Sequence, residues 1–332
     1  MFGETIMKKA LKITAYVIGA LALAIIAVLT YVKTMLPSVG EAPVLTVAKA
    51  PENVERGRYL ANHVMVCADC HSTRDWSVFS GPPVAGTIGK GGERFDQTMG
   101  FPGKYVANNI TPHHLGSWTD GEIFRAITAG VSKDGRALFS IMPHHNFGQL
   151  DRRDIEDVIA YIRTLQPIQF DTEPSESDFP MNFIINTIPV KPVFSTRPSP
   201  SNTVAYGKYL VTASGCYDCH TKMEQGKPVG EPFAGGFEIR FPSGAVLRSA
   251  NITPDVKTGI GGWTQEQFVL HFKAFADSGY IPPRVGPADM QTIMPWTMYA
   301  GMTEQDLASI YQYLKSLKPV SNAVKMFTPS SK

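Results

Sequence analysis

The sequence predicts an all-α protein in which a single N-terminal transmembrane helix precedes two tandem copies of one helical domain. Three observations predict this fold. An uncharged run of 20 residues lies near the N-terminus, the remaining chain contains one ordered set of short segments twice, and apolar residues recur at helical spacing near the end of each copy. No segment shows a confident strand pattern. With 332 residues, 43% of them hydrophobic, the chain is long and apolar enough for two folded domains.

The uncharged run covers residues 13–32 and spans about 30 Å as a helix, the thickness of the hydrocarbon core of a bilayer. A cleaved signal peptide has a shorter apolar region, of roughly 7–15 residues. We therefore expect a retained anchor instead of a cleaved signal or a buried core helix. Three lysines precede the run and one follows it directly, namely Lys8, Lys9, Lys12 and Lys33. This asymmetry predicts that the rest of the chain faces the periplasm from the cytoplasmic (inner) membrane.

An internal repeat follows the anchor. The matching segments are residues 57–60 with 207–210, 109–112 with 251–254, 118–119 with 263–264, and 141–143 with 293–295. Because their order is the same in both copies, we predict a duplicated domain. The predicted division is an anchor at 1–33, a tether at 34–50, the first repeat at 51–167, a proline-rich linker at 168–202, the second repeat at 203–320 and a tail at 321–332. The linker contains a largely apolar stretch at 181–185, so we expect part of the linker to pack on a domain.

Helix signals occupy equivalent places in the two repeats. Thr119 with Glu122, and Thr264 with Gln267, form capping-box sequences that open a helix. Asp151 and Thr303 are candidate N-caps of the last helix in each repeat. Apolar residues at helical spacing follow these caps: Ile155, Val158, Ile159, Ile162 and Leu165 in the first repeat, and Leu307, Ile310, Tyr311, Leu314 and Leu317 in the second.

All four cysteines lie in two C-x-x-C-H motifs, Cys67, Cys70 and His71 in the first repeat and Cys216, Cys219 and His220 in the second. This is the c-type haem attachment signature: two thiols on one turn add to the porphyrin vinyl groups, and the histidine supplies the proximal imidazole. The sequence therefore predicts two covalently bound haem c groups with iron. A zinc site would have to join the two distant motifs, a dithiol pair expects a βαβ pattern, and disulfides would leave both histidines unexplained.

Each repeat also offers one methionine before a proline, Met142 and Met294. A methionine thioether is the usual distal ligand of an electron-transfer haem, so we expect these two to complete the iron coordination. Core packing is the alternative role for a methionine. His144 and His145 are alternative ligands in the first repeat, although the second has Trp296 and Thr297 at the same positions. The remaining histidines outside the motifs, His63, His113, His114 and His271, have no matched partner and are expected in surface or core roles.

Polar and aromatic residues repeat in the loops, namely Asn109, Thr111 and Trp118, and Asn251, Thr253 and Trp263. A buried haem has two propionates that require hydrogen-bond donors, which these side chains could supply. Fixing a turn and capping a helix is the alternative role for the same residues.

With these motifs, the chain resembles the di-haem and multi-haem cytochromes c of bacterial inner membranes. The segments at 109–112, 118–119 and 142–143 are similar to those of the cytochrome subunits of membrane alcohol and gluconate dehydrogenases. The resemblance implies that each repeat is a class I cytochrome c domain, with crossed N- and C-terminal helices. Those subunits usually carry three haem motifs, whereas this chain has two.

The expected function is single-electron transfer, alone or as the cytochrome subunit of a dehydrogenase complex, between a dehydrogenase donor and a cytochrome or oxidase acceptor. A di-haem enzyme, such as a peroxidase or a thiosulfate-oxidising cytochrome, is the alternative. The matched methionines favour carrier haems, and no cysteine is left for the ligation seen in some thiosulfate enzymes. A net charge of +2 argues against a nucleic-acid partner.

Overall fold

The computed structural model describes residues 2–286 and 288–330, without the side chains of residues 2–5. Residue 1 of the predicted anchor, residue 287 of the second repeat and residues 331–332 of the predicted tail lie outside the described residues. The α-helices are α1 (Phe2–Met35), α2 (Pro51–Tyr59), α3 (Cys67–Cys70), α4 (Pro112–Leu115), α5 (Asp120–Ala129), α6 (His144–Phe147), α7 (Arg152–Ile162), α8 (Met181–Ile184), α9 (Thr203–Ala213), α10 (Cys216–His220), α11 (Gln265–Lys273), α12 (Trp296–Tyr299) and α13 (Glu304–Lys315).

Shorter helical turns complete the helical part of the described chain. They are a π-helical turn at Leu60–Val64 and 3₁₀ turns at Gln97–Met99 and Ile185–Thr187. The caps predicted from sequence are present: Thr119 and Thr264 each form a capping box, and the Asp151 and Thr303 side chains accept backbone hydrogen bonds at the starts of α7 and α13.

Short strands are present, so the expectation of an all-α chain without strands needs correction. The strands are β1 (Arg94–Phe95), β2 (Gly103–Val106), β3 (Glu176–Ser177), β4 (Met223–Glu224), β5 (Lys227–Pro228), β6 (Glu238–Arg240), β7 (Val246–Arg248) and β8 (Phe327–Thr328). They form three antiparallel sheets in the orders β1-β2-β3, β4-β5 and β6-β7-β8. Elements this short cannot show an alternating pattern in the sequence.

The outer strands of two sheets come from the segments that follow each repeat. β3 belongs to the linker and pairs Gly103 with Ser177, whereas β8 belongs to the tail and pairs Val246 with Thr328. The linker and the tail therefore each return to the loop region of the repeat that precedes them in the sequence.

The first and last long helices of each repeat cross at a glycine. α2 packs on α7, and α9 packs on α13. A Cβ atom built at Gly57 would overlap the backbone carbonyl oxygen of Asp157, and one at Gly207 would overlap that of Ser309. The two helix backbones are therefore in direct contact, which only glycine permits.

We expect Gly207→Ala to lower the free energy of unfolding by about 1–3 kcal/mol, because the added methyl group must push α9 away from α13. Thermal unfolding of the detergent-solubilised, haem-loaded protein would measure this loss. Gly262→Ala is the matched control, because a Cβ atom there lies 3.6 Å from its nearest neighbour, the Val256 oxygen. Equal melting temperatures for the two variants would contradict the crossing role of Gly207.

The hydrophobic core is continuous across both repeats. One cluster of contacting buried side chains includes Leu60 and Ile159 of the first repeat and Leu210 and Leu307 of the second. Most of the residues predicted from helical spacing in α7 and α13 are buried in this core.

The N-terminal helix stands apart from this core. Residues Ile6–Met35 form a helix long and apolar enough to cross a membrane, with a mean hydropathy of 2.4 in its most apolar window and none of that window buried against the rest of the chain. This helix contains the predicted span at residues 13–32.

Candidate functional site

Each C-x-x-C-H motif forms one short helical turn, α3 in the first repeat and α10 in the second. The residue before each turn adopts the left-handed conformation, Val66 with φ 47° and Gly215 with φ 63°. Glycine adopts this conformation freely, whereas a β-branched residue does so at a cost of about 1–3 kcal/mol. The chain therefore enters both motifs by the same sharp bend. In the first repeat this bend is strained, because Val66 occupies it instead of a glycine.

The motif histidines are oriented in the same way in both repeats. The Nδ1 of His71 lies 2.6 Å from the carbonyl oxygen of Asn108, and the Nδ1 of His220 lies 2.8 Å from that of Ala250. Because a carbonyl only accepts, Nδ1 must carry the proton, which leaves Nε2 with a free lone pair. Burial lowers the pKa of both imidazoles, so they are neutral at physiological pH. A neutral imidazole held through Nδ1 is the arrangement expected of a metal-ligating histidine.

The structure places no disulfide between the four cysteines. Burial raises the pKa of both Cys67 and Cys70 to about 12, whereas a reactive redox dithiol requires a lowered pKa. Among the described residues, no group of three or more histidine, cysteine, aspartate or glutamate side chains is placed to hold a metal ion. The raised thiol pKa values argue against a reactive dithiol. Two thiols on one turn beside an oriented imidazole fit haem c.

The two candidate distal methionines lie in matching turns. The carbonyl oxygen of Met142 accepts a hydrogen bond from the amide of His144 at 2.7 Å, and that of Met294 accepts one from Trp296 at 2.8 Å. The intervening prolines have φ −78° and ψ 51° at Pro143 and φ −81° and ψ 65° at Pro295, which is an inverse γ-turn. Both methionines are half-buried against the core, on the loops before α6 and α12.

The two alternative ligands, His144 and His145, have different environments. His144 is fully buried against Gly130, and neither of its ring nitrogens makes a hydrogen bond of standard geometry with another described residue. Burial, reinforced by the neighbouring His145, lowers the pKa of His144 to about 4. His145 instead lies 3.2 Å from a carboxylate oxygen of Asp218 in the second repeat. Of the pair, His144 therefore stays the competitor of Met142.

The repeated asparagines and threonines fix turns. The amide nitrogen of Asn109 donates to the carbonyl oxygens of Ile168 and Phe170 at 2.8 and 2.9 Å, and its oxygen accepts from the amide and hydroxyl of Thr111. The Asn251 and Thr253 side chains repeat this bonding, with Val320 as a partner. Both protons of the Asn109 amide are used within the chain, which favours the turn-fixing role over propionate binding.

The tryptophans and the unmatched histidines complete the set of predicted residues. Trp118 is half-buried against the core, and Trp263 is 36% exposed. The four histidines take surface or packing positions. His113 bonds Asp171, His114 lies beside Trp118, His63 contacts the Met298 carbonyl, and His271 packs edge-to-face with Trp263 and Trp296.

The two repeats are joined by a reciprocal pair of hydrogen bonds. The Tyr59 hydroxyl donates to Asp306 at 2.5 Å, and the Tyr209 hydroxyl donates to Asp154 at 2.6 Å. Each hydroxyl also accepts a backbone N–H, from Thr303 and Asp151 respectively, at 3.1 Å. In each repeat, the equivalent tyrosine and the equivalent aspartate thus bind their partners in the other repeat. Their repetition was visible in the sequence, but nothing local showed that each partner lies in the opposite copy.

The candidate haem loops contact each other across the same boundary. The Ser80 hydroxyl of the first repeat donates to the Met294 carbonyl oxygen at 2.6 Å. The Asn146 amide of the first repeat likewise donates at 2.6 Å to Asp218, inside the second C-x-x-C-H motif. Within the second repeat, the buried Tyr299 donates at 2.7 Å to the carbonyl oxygen of Ser214, two residues before that motif. The first repeat therefore supports the candidate site of the second.

A buried ion pair connects the first motif to this boundary. A guanidinium nitrogen of Arg74 lies 3.0 Å from the carboxylate of Asp69, and both side chains are almost fully buried. Arg74 also donates to the carbonyl oxygens of Gly81 and Ser80 at 2.6 and 2.8 Å and stacks on Trp76. Burial raises the pKa of Asp69 to about 7, and Arg74 opposes this rise. Sequence analysis did not identify Arg74, because a lone arginine in a loop has no pattern.

Comparison with known proteins identifies one segment directly. Residues 204–318 match the family model described as cytochrome c. A cytochrome c domain binds haem c covalently, in agreement with the donor set at Cys216, Cys219 and His220.

Several curated proteins are similar to the chain. They include the cytochrome c subunit of a quinone alcohol dehydrogenase from Gluconacetobacter polyoxogenes (27% identity, 80% of this chain, 56% of the relative), the cytochrome c subunit of gluconate 2-dehydrogenase from Pantoea cypripedii (24%, 83% and 62%), and a diheme cytochrome c-type protein from Cereibacter sphaeroides (29%, 47% and 53%). The predicted resemblance to the cytochrome subunits of alcohol and gluconate dehydrogenases is confirmed. The chain spans a little over half the length of these relatives.

Proposed function

We propose that the chain is a membrane-anchored di-haem cytochrome c that carries single electrons at the periplasmic face of the inner membrane. The observation that carries this proposal is the matched pair of sites. Each has two thiols on one helical turn, an imidazole held through Nδ1 and a half-buried methionine in an inverse γ-turn. Two sites built alike favour two carriers over one carrier and one catalytic centre.

The residues that would hold the haems follow from the donor sets. The first haem would be held by Cys67, Cys70, His71 and Met142, and the second by Cys216, Cys219, His220 and Met294. Haem c, when bound, supplies the one-electron redox chemistry. The chain holds each imidazole by its Nδ1 proton, and the proline turns set the direction of each methionine. Trp118 and Trp263 remain the candidate propionate donors.

We further propose that the two sites work as one unit. The reciprocal tyrosine–aspartate bonds join the long helices of the two repeats, and the bond from Ser80 to the Met294 carbonyl joins their loops. Rigid contact of this kind keeps the inter-haem geometry constant, which suits electron passage within one chain. A flexible pair of domains would lack such bonds.

The partners follow from the relatives. The similar proteins named above are cytochrome c subunits of dehydrogenases, so a periplasmic dehydrogenase is the proposed donor and a respiratory cytochrome or oxidase the acceptor. Helix α1 would hold the protein in the membrane, with Lys8, Lys9 and Lys12 on the cytoplasmic side. A di-haem peroxidase or thiosulfate-oxidising enzyme is the alternative function.

The haem count tests this proposal. Intact mass and haem staining of the purified protein should show two covalent haems. The double change Cys67→Ser with Cys70→Ser should leave one, as should Cys216→Ser with Cys219→Ser. A single haem in the unaltered protein would rule out the di-haem function. Reduction of peroxide at an enzymatic rate would favour the catalytic alternative.

A further inference from the structure

The linker packs against the end of the membrane helix. Helix α8 and the 3₁₀ turn at Ile185–Thr187 contact α1. The ammonium group of Lys33 donates to the carbonyl oxygen of Asn182 at 3.4 Å and lies 5.6 Å from the centre of the Phe183 ring. Because of this apolar stretch, sequence analysis expected part of the linker to pack on a domain. The stretch itself contacts the anchor, whereas the linker strand β3 pairs with β2 of the first repeat.

Despite this contact, the linker keeps apolar side chains exposed. No residue of α8 is buried. Phe179 is 79% exposed and Ile184 is 45% exposed, and the Phe179 ring meets the edge of the Phe183 ring at 6.4 Å. We call these three residues, Phe179, Phe183 and Ile184, the linker patch. Adjacent exposed apolar side chains of this size mark a surface that binds something apolar.

The position of Lys33 gives the depth of the linker patch. Lys33 is the first charged residue after the uncharged run that ends at residue 32. A lysine at the end of a membrane helix places its ammonium group among the lipid headgroups, and aromatic side chains concentrate at the same level. Because Lys33 contacts Asn182 and Phe183, the linker patch lies at that level too.

We propose that the linker patch inserts into the outer leaflet of the membrane that α1 crosses. This inference rests on the proposed anchor and adds a second membrane contact, made by the segment between the two repeats. Short apolar elements of this kind enter the boundary between headgroups and acyl chains to a depth of about 5–10 Å. The nearest acidic side chain before the patch, Asp178, is tied to Gln97 of the first repeat by a 2.8 Å hydrogen bond.

The consequence is a fixed orientation of the haem repeats. One helix alone would let them rotate about its axis, whereas a second contact restrains that rotation. The linker would then present the same side of the protein to membrane-bound partners at all times.

Site-directed spin labelling of the full chain in phosphatidylcholine nanodiscs tests the inference. Ile184→Cys would carry the nitroxide label, since haem attachment uses the native thiols. Val256→Cys is the water-exposed control, because Val256 is a 73% exposed apolar residue of the second repeat. Leu23→Cys, in the middle of α1, is the bilayer control. The measurement is relaxation of each label by oxygen, which concentrates in lipid, relative to a water-soluble nickel chelate.

We expect the oxygen-to-nickel ratio at position 184 to be several-fold higher than at 256 and lower than at 23. A ratio at 184 equal to that at 256, with a bilayer value at 23, would overturn the linker contact and leave the anchor intact. Water-like values at all three positions would overturn both. A label at 184 that neither reagent reaches would show that protein covers the patch, and would also overturn the inference.

Discussion

Arg74→Leu is expected to lower the free energy of unfolding by about 3–5 kcal/mol, because it leaves the buried Asp69 carboxylate without its partner. The side chains of both residues are almost fully buried, and the bridge is 3.0 Å long. The same change removes the two hydrogen bonds to the carbonyl oxygens of Gly81 and Ser80. The loss therefore combines the cost of protonating a buried carboxyl group that has lost its partner with two buried carbonyls left without donors.

Chemical denaturation of the haem-loaded protein, followed by far-ultraviolet circular dichroism, would measure this loss. Arg94→Leu is the matched control, since Arg94 is 54% exposed in its 2.7 Å bridge to Asp96 and such pairs contribute about 0–1 kcal/mol. Adding Asp69→Asn to Arg74→Leu should recover part of the stability, because an amide is buried uncharged without having to take up a proton. Equal losses for the Arg74 and Arg94 variants would refute the role given to the buried pair.

The Arg74 variant should also disturb the second site. Arg74 holds the backbone of Ser80, and the Ser80 hydroxyl bonds the Met294 carbonyl. We therefore expect a change in the spectrum of the haem that Met294 would ligate, although Arg74 lies in the other repeat. Ser80→Ala should reproduce this spectral change with a smaller loss of stability, since it removes one hydrogen bond and no charge.

The local parts of the fold were predictable from the sequence. The capping boxes at Thr119 and Thr264 depend on residues three positions apart, and the buried faces of α7 and α13 follow from helical spacing. The paired haem motifs were equally local. The residues that specify each of these features lie close together in the sequence, within one helical turn or one repeat of the helical spacing.

Features that depend on distant contacts were not predictable. Tyr59 and Asp306 are 247 positions apart, and no periodicity connects them. The repeat predicts that Tyr59 and Tyr209 have equivalent roles, but it is equally compatible with partners in the same copy. The strands were missed for a different reason, because pairing of the two residues of β3 with β2 depends on where the linker returns. Burial of His144 likewise depends on the nearby backbone of Gly130.

Met142→Ala and Met294→Ala are each expected to lower one of two midpoint potentials and leave the other nearly unchanged. Methionine ligation raises a haem potential, and axial ligands set such potentials over a range of about 0.8 V. We expect each shift to be on the order of 0.1 V or more. Spectroelectrochemical titration of the detergent-solubilised protein would measure both potentials.

The far-red absorption band of methionine-ligated iron(III) provides a second readout. Each single change should remove about half of this weak band, and the double change should remove all of it, if each methionine serves one haem. Met290→Ala is the control, because Met290 precedes Met294 in the same loop but is 41% exposed. That variant should keep the whole band and both potentials.

His144 is the residue that can overturn the assignment in the first repeat. Its imidazole is buried and neutral, and it lies two residues after Met142. If the band survives in Met142→Ala while His144→Leu changes the absorption spectrum of the first haem, then His144 is the distal ligand. The second repeat has Trp296 at the same position, so only its methionine can ligate from this turn. If Met142→Ala removes half of the band and His144→Leu leaves the band unchanged, both haems therefore have one histidine and one methionine as their axial ligands.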